Sequence, residues 1–156
     1  MKIKKKKKKL FFSSNLYDFY LTKHKIQDVL FTPKDIWPGD PLLGDNLVQG
    51  HYDLGGNKVY APDEVLWKII DPSNYWEKEI HSFSWLRHLK ARSGPLARKH
   101  AKFLIIEWIQ LYSKWSEKPW EIETLSRRVS SWITNIDFLL AEKDERFLNL
   151  LKKNIF

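Results

Sequence analysis

Histidines and carboxylates are the first residues in this sequence to weigh for chemistry. Histidines stand at 24, 51, 81, 88 and 100, and imidazole serves both as metal ligand and as general base. His81 and His88 lie seven apart, on one helical face across Trp85. A metal site needs a third donor at hand, and no carboxylate or histidine sits beside them at ligand spacing. No metal and no cofactor is therefore expected. There is no cysteine, which excludes disulfides and thiolate sites. Gly55-Gly56 falls in a predicted hairpin rather than between a strand and a helix, so it is no phosphate loop. No nucleophile elbow occurs. Glu121 and Glu123 open a predicted helix, where two carboxylates complement the helix dipole.

Aromatic residues are the second candidate. Eight Trp, nine Phe and six Tyr among 156 residues supply ample core and rule out wholesale disorder. Flat indoles also stack on the apolar faces of sugar rings, and their N–H bonds hydroxyls. Composition leaves both uses open.

Charge is the third. The net charge is +8, with 27 basic and 19 acidic residues. Seven of the lysines lie within Met1–Lys9, which leaves 20 basic residues against the 19 acidic ones elsewhere. The body is close to neutral, and the basicity belongs to a short arm. Such a block repels itself and stays solvated. Lys4–Lys9 also suit nonspecific contacts with nucleic acid or anionic lipid. No base-reading module accompanies them, and Arg, the better phosphate fork, numbers only six. The apolar stretch after the arm, Leu10-Phe11-Phe12, is too short for a signal peptide, which points to the cytoplasm. No segment reaches the length of a membrane span.

The elements that must position these residues follow from periodicity. Residues 1–12 form the arm. Residues 13–74 form an extension, beginning with a short amphipathic helix over Ser14–His24. Five of the seven prolines and five of the six glycines fall between Lys25 and Pro72, which argues against long helices there. Leu47–Leu54 and Lys58–Ala61 flank Gly55-Gly56-Asn57 and predict a β-hairpin. The rest of that region is expected to be extended chain. Residues 75–156 read as helical hairpins: helices over about 76–91, 96–115 and 121–141, and a fourth capped by Asp144. The third has the face Ile122, Leu125, Val129, Trp132, Ile133, Ile136, Leu139 and Leu140. The last helix carries an apolar face with no later sequence to cover it. It is expected either to pack back on the third helix or to belong to a truncated array.

Three stretches, in order and spacing, resemble the N-terminal region of bacterial heparinase II/III-like proteins. They are FTPKDIWPGDPLLGDNLVQGHYDLGG (31–56), HSFSWLRHLKA (81–91) and KPWEIETLSRRVSSWITNIDFLL (118–140). The most specific part is Trp120 followed by Ser126, Arg128 and Trp132. The resemblance implies a mainly α fold. Antiparallel helical hairpins would form part of an (α/α) toroid, preceded by the Pro/Gly-rich extension with its small hairpin. It implies a polysaccharide lyase working by β-elimination, with its catalytic residues on a later toroid portion and a β-sandwich that this chain lacks. The chain alone would have no catalytic centre and would bind acidic, uronate-containing polysaccharide. Arg128, Trp132 and Trp120 are the implied substrate-binding residues: Arg128 and Trp132 are four apart on one helix, so a guanidinium beside an indole could hold a carboxylate and stack a sugar. The same pair also reads as a buried ion-pair partner, with Glu107 or Asp137, beside a core indole. By resemblance the compartment would be the periplasm or cell envelope. The alternative is a non-enzymatic helical interaction module whose lysine arm contacts nucleic acid or anionic membrane.

Overall fold

Asp40 and Pro41 open the first helix among the described residues. The Asp40 carboxylate accepts the Leu42 N–H at 2.8 Å, and Pro41 occupies the first helical turn, where a missing N–H costs nothing. Helix α1 (Pro41–Val48) results, in a stretch expected to be extended. The computed structural model describes residues 31–69, 74–142 and 144–155. The arm, the helix expected over Ser14–His24 and Pro72 lie outside them. Strands β1 (His51–Leu54) and β2 (Asn57–Tyr60) follow, then a 3-10 turn at Leu66–Lys68 and helices α2 (Asn74–Ser82), α3 (Leu86–Arg92), α4 (Gly94–Tyr112), α5 (Ile122–Thr134), α6 (Ile136–Leu139) and α7 (Glu145–Ile155). The fold is mainly α with one small antiparallel sheet.

The hairpin pairs His51 with Tyr60 and Leu54 with Asn57. Gly55 and Gly56, at φ 59° and 81°, form the two-residue loop that matches strand twist. Tyr52 and Leu54 point inward. Helix α1 packs on α3 through Gly44, where a Cβ would collide with the His88 carbonyl.

The single helix expected over 76–91 is two. The Ser82 hydroxyl donates to Glu79 O at 2.9 Å and accepts the Ser84 N–H at 3.2 Å, replacing ladder bonds with side-chain ones. Phe83 then takes φ 57°. That conformation costs a bulky residue about 1–3 kcal/mol. It is offset by burial of Phe83 among the rings of Trp67, Trp85, Trp108 and Trp132. At the Ser93-Gly94-Pro95 break, Ser93 as well as Gly94 adopts positive φ. The third expected helix is likewise divided at Asn135, whose side-chain amide donates to Ser131 O at 2.8 Å. Asp144 does cap α7, accepting the Phe147 N–H at 3.0 Å.

One buried cluster runs from Leu47 and Tyr52 through α2–α6 to Phe147 and Leu151 of α7. The apolar face of the last helix is thus covered at these two residues. Lys102 of α4 lies 5.1 Å from the Phe147 ring and bonds Asp144 at 2.9 Å.

Candidate interaction surface

Helix α5 carries two stripes. The first, Thr124, Arg128 and Trp132, recurs every four residues and faces the core, with Arg128 1% and Trp132 0% exposed. The guanidinium carbon sits 4.1 Å from the Trp108 ring centre, 5.3 Å from Trp120 and 6.0 Å from Trp132. Nη1 donates to Pro119 O at 2.6 Å. No carboxylate pairs with it among the described residues: Asp137, one of the two partners considered, instead takes Lys90 at 2.7 Å. Arg128 is a buried cation held by indole faces and a carbonyl, an arrangement in which desolvation opposes the cation–π attraction. Burial pulls its pKa down to about 9, so it stays protonated at neutral pH.

His81 completes this box. Its Nδ1 accepts the Trp108 indole N–H at 3.0 Å, and Tyr112 meets its ring edge-on at 4.8 Å. Burial, then the charges of Arg128 and Lys118, push its pKa down to about 4. It is neutral at physiological pH and acts as an acceptor. Trp120, half-buried, donates its N–H to Tyr112 O at 2.7 Å.

The structure therefore brings Arg128 and Trp132 together, as their four-residue spacing implied, with Trp120 beside them, but on the inside. Arg128 and Trp132 present no surface to a polymer, because Trp108, Trp120 and Pro119 close over them. Trp120 is the one of the three with a partly open face. His81 and His88 do not converge either: His88 Nδ1 accepts the Asp40 N–H at 2.9 Å. Among the described residues no cluster of three His, Cys, Asp or Glu could hold a metal. Glu121 and Glu123, at the N-terminus of α5, meet Lys78 at 3.5 and 3.0 Å, Glu121 making no side-chain capping bond, and Lys118 pairs with Glu77.

The second stripe of α5 was expected to be core and is not. Ile122, Leu125, Val129 and Ile133 lie about 100° round the helix from the first. Ile122 is 85% exposed and the other three are half-buried. Together with Pro33 they line an open apolar hollow of about 560 Å³. A second hollow, about 620 Å³, adjoins it across Ser126, Ser130 and Thr134. Its walls are Lys34–Trp37 on one side and Ser84, Arg87 and Arg127 on the other. Arg87 Nε lies 3.8 Å from Asp35 and Arg127 Nη2 2.7 Å from Glu79, which fixes both guanidinium groups at the rim. Trp37 is 64% exposed beside them. The two hollows form one groove along α5 with an aliphatic floor and a basic edge. Its residues were legible only as a periodic stripe, and periodicity does not say which of two stripes is covered.

Comparison with known proteins gives one relative to weigh. "FtsZ-localized protein C" of Caulobacter vibrioides (strain NA1000 / CB15N) is 31% identical over 114 residues, which is 72% of this chain and 20% of that protein. The chain spans about a fifth of the relative's length. No family model matches the chain, and no solved structure matches it. These findings overturn the heparinase II/III-like resemblance. The motifs at 31–56, 81–91 and 118–140 are not backed by any family model, and the matching relative is named for FtsZ rather than for a polysaccharide. A lyase function, acidic polysaccharide as partner and a missing lyase portion fall with it, as does the alternative built on the lysine arm. Among the described residues no helix is long and apolar enough to cross a membrane.

Proposed function

We propose that this chain is a helical protein-docking module that works in an FtsZ-associated, cell-division setting. The observation that carries this reading is the match to FtsZ-localized protein C across 72% of the chain. The open groove on α5 supports it, since a half-covered aliphatic stripe on a well-packed scaffold marks a binding surface. The test is sedimentation of the full chain with assembled FtsZ from the same organism, together with imaging of a fluorescent fusion. The expected result is co-pelleting and a fusion signal that coincides with FtsZ. A chain that stays in the supernatant and is spread evenly through the cell would contradict the proposal.

The wider arrangement of the helices belongs to the same proposal. Helices packed in pairs, α2 on α5 and α3 on α4, are the unit from which an (α/α) array is built, and we take them as part of one. A solved structure of the full-length relative with unpaired or differently layered helices would end that idea.

A further inference from the structure

We infer that the groove along α5 receives an amphipathic helix of a protein partner, with aliphatic anchors on one face and acidic residues flanking them. The inference rests on the reading of the chain as a docking module and names the kind of ligand that module takes.

Length comes first. The stripe runs from Ile122 to Ile133, about 16 Å or three helical turns at 1.5 Å per residue. That is the span over which a helix laid in a groove presents anchors at i, i+3, i+7 and i+11. The floor is chemically suited to this. It exposes aliphatic side chains and serines, and a flat apolar wall is added by Ile36, 85% exposed, and Trp37.

Charge selects the partner. The groove lining holds Lys34, Arg87 and Arg127 against Asp35, and Glu79 pairs with Arg127 from just outside it, which leaves one net positive charge at the edge. The bonds of the two arginines described above engage Arg87 Nε and Arg127 Nη2, and each guanidinium carries further N–H donors in its fork. Carboxylates beside the anchors of an incoming helix would meet these donors, and lysines there would be repelled.

The alternatives separate by experiment. Fluorescence anisotropy of the full chain is measured with labelled helical peptides of about 16 residues. One has leucines at i, i+3, i+7 and i+11 with glutamates elsewhere, a second has lysines in place of the glutamates, and a third has serines in place of the leucines. The acidic peptide is expected to bind at least about tenfold more tightly than either control, a difference of about 1.4 kcal/mol. Ile122→Asp is expected to weaken it about tenfold, and Arg127→Glu to erase the preference for acidic over basic peptide. Melting curves identify any variant that fails to fold, and Lys34→Glu, at an exposed position, gives an independent test of the same preference. Equal binding of acidic and basic peptides would overturn the inference. So would a homodimer that Ile122→Asp dissociates, since the occupant would then be a second copy, or displacement of the acidic peptide by a DNA oligonucleotide. FtsZ sedimentation is scored separately: if it persists while peptide binding fails, the groove is wrong and the docking reading stands.

Discussion

The two stripes of α5 invert the usual rule for a surface helix. One buries a threonine, and an arginine among tryptophans, and the other leaves isoleucine, leucine and valine at least partly open. On burial energetics alone the assignment should be reversed, since covering an aliphatic side chain is worth about 1.5–3 kcal/mol and burying an unpaired cation is costly. What reverses it is the partner surface. Trp108, Trp120 and Trp132 form a box that accepts a guanidinium over ring faces, and Pro119 O accepts a hydrogen bond from one of its N–H groups. Among the described residues, the hollow over the aliphatic stripe is bordered by the short segment at Pro33–Trp37. The inner stripe thus holds the fold together, and the outer one stays open among the described residues.

The sharpest way to break this contrast is at the inner stripe. Trp108→Ala removes the ring under Arg128 and the donor to His81, and it should destabilise the chain by about 3–5 kcal/mol in urea unfolding. A loss below about 1 kcal/mol would mean the box is not the centre of the core. Arg128→Met sharpens the same point. Replacing the unpaired cation by an apolar side chain of similar length should leave stability within about 1 kcal/mol of the parent, whereas Arg128→Glu should behave like Trp108→Ala.

Acid gives the next effect. The folded-state pKa of His81 is depressed from 6.5 to about 4, so below pH 6.5 the unfolded chain binds a proton that the folded chain refuses. Stability contributed by neutral His81 is therefore full above pH 6.5 and falls as pH drops toward 4, by roughly 3 kcal/mol. Urea midpoints measured across that range should fall steeply in the parent and less steeply in His81→Gln. Parallel slopes in the two proteins would remove His81 from the account.

Smaller effects lie toward the groove. Asp40→Ala deletes the cap of α1, which packs on α3 at His88 and Arg92, and should cost about 1 kcal/mol by thermal melting. Ile122→Ser should change stability by less than about 0.5 kcal/mol while weakening partner binding. A cost near that of a core isoleucine would show that the outer stripe is already covered.

Much of the helical half was legible in the sequence, because 3.6-residue periodicity over residues 76–155 is strong. The breaks at Phe83 and Asn135 were not. Phe83 pays for its positive φ with tertiary burial, and no local propensity announces that. Helix α1 was hidden by the density of Pro and Gly, although Asp40-Pro41 is itself a helix-start signal. For the site, the spacing correctly put Arg128 beside Trp132 but could not show which way the pair faces. A helix with two stripes has two solutions, and only the indoles of α4 and the loop before α5 choose between them.

The contrast can be read in one labelling experiment, because the chain contains no cysteine of its own. Ile122→Cys and Thr124→Cys each place one thiol on α5, two residues apart, and their rates of reaction with a maleimide report exposure directly. The account predicts that the thiol at 122 reacts like a free peptide thiol. The thiol at 124, where the parent side chain is buried, should react at least about a hundredfold more slowly, a gap of about 2.7 kcal/mol in local opening. Equal rates, or protection at 122 with reactivity at 124, would contradict it.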